Sequence, residues 1–136
     1  MKKSYPVLMS LLFVLLATCG LAAAQDTIHR EVGPAEADSL IKACPDPGSL
    51  VLIDLRVPEK FATGTIAGAV NIQPDSLKTL DPEKAYLVFC GGDTRGVEAY
   101  QELTKQGFPV VYRIIGGIGA WTGAGLPLTG TKPVPF

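Results

Sequence analysis

Tyr86-Leu87-Val88-Phe89-Cys90-Gly91-Gly92-Asp93-Thr94-Arg95-Gly96-Val97-Glu98 is the stretch on which the fold turns. Tyr86 to Phe89 is an unbroken apolar run, the pattern of a short strand covered on both faces. Cys90 stands where that strand ends. Gly91 and Gly92 let the backbone turn sharply and bring its amides close to whatever occupies the loop. Asp93 or Thr94 is suited to cap a helix that begins near Arg95. Strand, tight loop and helix start, in that order, aim unpaired N–H groups and the positive end of the helix at the cysteine sulfur. Cysteines so placed ionise more readily than free ones, and the same groups can hold an anion. A lone cysteine after a strand is more often a small buried hydrophobe. The Gly-Gly pair and Arg95, whose forked guanidinium can hold loop carbonyls or an anionic substrate, tilt the reading toward chemistry.

Working outward, the same alternation of buried strands and amphipathic helices repeats. Thr27 to Val32 reads as a short edge strand. Pro34 suits the first turn of a helix whose Ala37, Leu40, Ile41 and Cys44 recur at i, i+3, i+4 and i+7, and Pro45, Pro47 and Gly48 stop it. Leu50 to Leu55 is a second buried strand, followed by a helical turn around Pro58, a loop from Gly64 to Gly68, a short strand Ala69 to Ile72 and another turn from Pro74 to Leu80. Downstream of Cys90, Arg95 to Gln106 reads as a helix with Val97, Tyr100 and Leu103 inward, closed by Gly107. Pro109 to Ile114 is the last strand. Gly116-Gly117 leads into a short helix carrying Trp121, and a Pro/Gly-rich tail follows. The pattern predicts an α/β fold, a small parallel sheet with helices on both faces. Ligands of such sheets bind beyond the carboxyl ends of the strands, where Cys90 and Asp54 both lie.

The chain has 136 residues, 12 basic and 13 acidic. That suits one small domain and gives no bias toward nucleic acid. Residues 1–24 have the form of a signal peptide: Lys2 and Lys3, an apolar run from Val7 to Leu16, and Ala22-Ala23-Ala24 before Gln25. The apolar run is short for a membrane span. Cleavage after Ala24 would leave 112 residues with 10 basic groups against 13 acidic, a net charge of −3. The mature protein is then expected in the periplasm or outside the cell, where thiols meet oxidising conditions. A lipid anchor on Cys19 is disfavoured by Thr18 just before it.

Asp54-Leu55-Arg56, Phe61, Gly64, Ile66, Gly68-Ala69 and Asn71-Ile72 resemble the first signature of a single-domain rhodanese. Cys90 to Arg95, Gly107-Phe108, Val111-Tyr112, Gly116-Gly117, Ala120-Trp121 and Gly125-Leu126-Pro127 resemble its second half. The resemblance runs from about Thr27 to Pro127, so residues 25–127 are taken as the domain and 128–136 as its tail. It implies a rhodanese-like α/β fold, a cysteine persulfide intermediate, and sulfur transfer from thiosulfate-like or persulfide donors to thiols or cyanide. A thioredoxin-like protein is one candidate acceptor. Four residues separate Cys90 from Arg95. The related phosphatases and arsenate reductases have one more, and a histidine where this chain has Phe89. The common family loop has glycine where this chain has Asp93. A carboxylate there would repel an anionic donor, unless it caps the helix and helix N–H groups absorb its charge.

These residues sort into expected roles. Cys90 is the nucleophile, and the backbone N–H groups of Gly91, Gly92, Asp93, Thr94, Arg95 and Gly96 are expected to stabilise the charge on its sulfur. Arg95 is the second functional candidate, with an ion pair to Glu98 as the structural alternative. Asp54 and Arg56 are expected to support the loops, and Trp121 and Phe61 to belong to the core. His29 is expected at the surface, and neither a metal nor a cofactor is expected. Cys44 could resolve a persulfide by closing a disulfide with Cys90, although its periodicity places it on a buried helix face. A second functional class remains open: a catalytically weak module of the same fold that binds a partner or senses persulfides.

Overall fold

The computed structural model describes residues 26–44, 46 and 48–129. The expected leader over 1–24, Cys19, Pro45, Pro47 and the chain after Thr129 lie outside the described residues. Five strands form one sheet: β1 (Ile28–Val32), β2 (Leu50–Asp54), β3 (Val70–Asn71), β4 (Ala85–Phe89) and β5 (Val110–Ile114), in the order β1-β5-β4-β2-β3. Every pairing is parallel. The helices are α1 (Pro34–Ala43), α2 (Pro58–Ala62), α3 (Thr94–Lys105) and α4 (Gly117–Gly123), with a 3-10 turn at Pro74–Thr79.

The sheet has this form because its central strands are apolar on both faces. All five residues of β4 and all five of β5 are buried. Alternate residues point to opposite sides, and two separate cores result. Leu50, Leu52, Leu87, Phe89, Tyr112 and Ile114 meet Ala37 of α1 and Trp121 of α4 on one side. Ile53, Tyr86, Val88 and Val111 meet Ala99 and Leu103 of α3 and Leu77 of the 3-10 turn on the other. Tyr86 and Phe108 meet edge to face there, 5.7 Å between centroids.

Several local expectations are modified. On α3 the buried stripe is Gly96, Ala99 and Leu103, with Val97 and Tyr100 only partly buried. Small residues let the helix lie close on the sheet, so the bulkier ones flank the contact. Phe61 is partly exposed and belongs to neither core, whereas Trp121 is buried and donates its indole N–H to the Pro127 carbonyl at 2.9 Å. Leu126 and Leu128 lie on the first core, and Thr129 pairs with Thr65. His29 is partly buried on β1, its Nε2 2.7 Å from the Phe108 carbonyl. Leu87 is fully buried at the centre of the sheet. Leu87→Ala is expected to lower unfolding free energy by about 2–5 kcal/mol in urea titration.

Candidate active site

Three neighbouring strands deliver their following loops to one place. β4 is flanked by β5 and β2, so the loops after Phe89, Ile114 and Asp54 meet at the carboxyl end of the sheet. Cys90 leads the first of these. Its thiol is free, and the residue is only 4% exposed. The sulfur belongs to the second core, yet Gly91, Gly92, Asp93, Thr94 and Arg95 beside it are all exposed.

The loop after β5 acts as a platform for the Cys90 loop. The N–H of Ile118 donates to the Cys90 carbonyl at 2.8 Å, and that of Gly119 to the Gly91 carbonyl at 3.0 Å. This approach requires glycine at 117. A Cβ there would lie 2.2 Å from the Cys90 carbonyl oxygen and 2.5 Å from that of Gly92, and its φ of +56° is itself unfavourable for other residues.

The sulfur sees one amide and one carbonyl. The N–H of Gly96 points at Sγ from 3.4 Å, and the thiol donates to the Gly92 carbonyl at 3.1 Å. Among the described residues, Gly96 is the one residue from Gly91 to Gly96 whose N–H is hydrogen-bonded to the sulfur. The carbonyls of Cys90 and Gly91 are held by α4, and the carbonyl of Gly92 faces the thiol.

Asp93 departs from its expected role as well. It is the residue before α3, but its carboxylate makes no capping bond to the helix. Its backbone carbonyl accepts from the Val97 N–H at 2.8 Å. The carboxylate turns instead to the last strand, where Oδ1 accepts from the Gly116 N–H at 2.7 Å and from Arg113 Nη1 at 2.6 Å. The Gly116 amide first, and then Arg113, hold its pKa below the ordinary carboxylate value. The carboxylate near Cys90 in the sequence is thus paired with a guanidinium. Arg113 was not among the candidate residues. Its signal was available, as the one charged residue inside the apolar run of β5.

Arg95 is exposed, and among the described residues it makes no hydrogen bond or ion pair, including none to Glu98. It is a cation near the loop with its donors open to solvent. Thr94 opens α3 and is exposed. Asp54 and Arg56 form a buried forked pair, 2.7 Å between Nη2 and Oδ2. Arg56 also donates to the Gly64 carbonyl, and Thr65 Oγ1 to Asp54. Asn71 Nδ2 reaches the Asp54 and Arg56 carbonyls at 2.9 and 2.7 Å. The Arg56 stem passes 3.8 Å from where a side chain on Gly91 would begin. Removing one partner of such a buried pair leaves an uncompensated charge, worth about 3–5 kcal/mol.

Cys44 is disulfide-bonded and packs on the first core, on the opposite side of the sheet from Cys90. It is therefore not joined to Cys90, whose thiol is free. Among the described residues no cluster of His, Cys, Asp or Glu could hold a metal ion, and no helix is long and apolar enough to cross a membrane.

The model of the rhodanese-like domain matches residues 34–124. YtwF of Bacillus subtilis (strain 168), whose name includes the word sulfurtransferase, is 38% identical over 82 residues, covering 57% of this chain and 79% of that protein. A protein named sulfurtransferase from Allochromatium vinosum is 28% identical over 101 residues, covering 71% and 94%. Among solved structures, a rhodanese-related protein from Thermoplasma volcanium superposes with a TM-score of 0.64 at 28% identity, covering 74% of this chain and 98% of that one.

Two outcomes test this geometry. Gly117→Ala is expected to cost at least about 1–3 kcal/mol of stability, and to speed hydrogen exchange at the Ile118 and Gly119 amides. For Asp93, whose folded pKa is depressed, the stabilisation is present above the unfolded value of 3.8 and is lost as pH falls through the lower folded value. The stability difference between wild type and Asp93→Asn should therefore be flat above that window and change only within it, read from urea unfolding at a series of pH values.

Proposed function

Because the chain belongs to the rhodanese-like domain family, we propose that it is a sulfurtransferase in which Cys90 carries the sulfur. A sulfurtransferase role at family level is supported by the match over residues 34–124 and by relatives so named. The observation that carries the assignment to Cys90 is the junction around it. A free thiol ends the central strand, the Gly96 amide faces it at 3.4 Å, and the surrounding loop is open to solvent.

The reaction takes two displacements at sulfur. Cys90 first gives up its proton to solvent, and with it the bond to the Gly92 carbonyl. The thiolate attacks the outer sulfur of a thiosulfate-like or persulfide donor. The donor's S–S bond breaks, and its electron pair leaves with sulfite or the donor thiolate. Cys90 now holds a persulfide, with the Gly96 N–H as the donor nearest its inner sulfur. A thiolate or cyanide then attacks the outer sulfur, and the electron pair of the broken S–S bond returns to Cys90. No oxidant is consumed and no general base on the protein is needed.

Arg95, exposed and unpaired among the described residues, is the group suited to an anionic donor. The acceptor is a small thiol, cyanide, or a cysteine of a thioredoxin-like protein. The protein acts after export, in the periplasm or outside the cell, a reading supported by the pattern of residues 2–24. Pairing of Asp93 with Arg113 supports the enzyme over a catalytically weak binding module of the same fold.

One experiment addresses both parts. Purified mature protein is incubated with thiosulfate and its intact mass recorded. Wild type should begin at Gln25 and gain one sulfur atom that cyanide removes, and Cys90→Ala should gain none. Absence of any adduct with thiosulfate and with glutathione persulfide would overturn the reading.

A further inference from the structure

Arg113 is an odd residue for its position. It stands in β5, 5% exposed, with Val110, Val111, Tyr112 and Ile114 around it. Its Nη1 binds Asp93 at 2.6 Å and its Nη2 binds Glu31 of β1 at 2.7 Å. Its Nε is buried and has no hydrogen-bond partner among the described residues. Burial works against the charge, and the bonds to Glu31 and Asp93 outweigh it, so its pKa lies above the ordinary arginine value. A buried guanidinium with a donor left over, paired only with two half-exposed carboxylates, is a poor way to gain stability, since an apolar side chain of similar size avoids the cost of desolvating the charge. Something other than stability is a better reason for an arginine here.

The geometry supplies one. The Arg113 stem passes 3.7 and 3.8 Å from where a side chain on Gly96 would begin, and the Cys90 backbone nitrogen is 3.8 Å from the same point. Arg113 therefore lies beneath the residue whose N–H reaches the cysteine sulfur. Its head group holds Asp93, whose own carbonyl accepts the first hydrogen bond of α3, from Val97. The same carboxylate oxygen takes the Gly116 N–H from the platform loop. One guanidinium thus joins the edge strand, the cysteine loop and the first turn of α3.

We propose that Arg113 is a positioning residue: acting through the Asp93 carboxylate, it holds the first turn of α3 so that the Gly96 amide stays on the Cys90 sulfur. The side-chain bond that this chain lacks at the helix start is replaced by a bond from the helix-start residue to the neighbouring strand. The proposal rests on the sulfurtransferase reading only for its turnover measurement.

The test compares wild type with Asp93→Ala, Arg113→Met, the double variant and Asp93→Asn, all well below their measured melting temperatures. Sulfur transfer from thiosulfate to cyanide is followed alongside alkylation of Cys90 by iodoacetamide. Either single variant is expected to lower kcat about tenfold with KM held within about twofold. The double variant should fall no further, because both changes remove the same tie. Asp93→Asn should keep most of the rate, since its side-chain oxygen can accept the same two bonds. Alkylation of Cys90 should become faster in the three clamp-less variants, because the loop that covers the sulfur is loosened. A double variant down about a hundredfold, an Asn variant as slow as Ala, or a loss confined to KM would overturn the proposal. If wild type transfers no sulfur, the sulfurtransferase reading falls alone. The alkylation rates then decide: a rise shared non-additively by the three variants supports the clamp, and additive or absent changes overturn it.

Discussion

The carbonyls of Cys90 and Gly91 are gripped by the amides of Ile118 and Gly119, and the space for that grip exists because residue 117 has no side chain. The rest of the site follows from it. With its first two carbonyls held, the loop must rise from β4 and turn into α3 within a few residues, and the Gly96 amide arrives at the sulfur. The constraint is short-ranged and steric, which makes it sharp: a single methyl group at 117 would intrude on two carbonyl oxygens at once. Hydrophobic burial gathers the strands, but it does not choose the path of this loop.

Around that loop the polar side chains divide the work. The Asp54–Arg56 pair secures the strand-end on one flank, with Gly64 and Thr65 bonded to its side chains and Asn71 to its backbone carbonyls. Arg113 secures the other flank through Asp93 and Glu31. Each arginine is buried, each is bound to carboxylate, and each has its stem against backbone near the cysteine. Arg95 is the exception, exposed with its guanidinium open to solvent. The contrast separates two guanidinium groups held by carboxylates from one whose donors face solvent.

Much of this was legible in the sequence. The apolar runs at Leu50–Leu55, Tyr86–Phe89 and Pro109–Ile114 announced buried strands, and the intervening helical periodicity announced a parallel sheet. The boundaries agree to within a residue or two. What was hidden depended on distance along the chain. Asp93 looked like a cap because a local rule favours one, yet it bonds to Arg113, twenty residues away. Hydrophobicity alone assigned Val97 and Tyr100 to the inner face of α3, where close packing selects Gly96 and Ala99. Gly116 and Gly117 were visible as a turn, but their role as a seat for another loop depends on which strands lie side by side, and the sheet order settles that.

The anchoring of Arg113 by Glu31 carries a consequence for how the molecule is assembled. Those two residues are 82 positions apart, and β1 pairs with β5 alone. β1 is made first and must wait for nearly all the rest of the chain before it can dock. Contacts this remote form late and slowly. A partly folded chain would hold its inner strands together while the Cys90 thiol still lay on an unsecured loop. Maturation of the site is thus tied to the last closure of the sheet, and a chain clipped ahead of β2 would keep most of its core while losing the outermost tie on its cysteine.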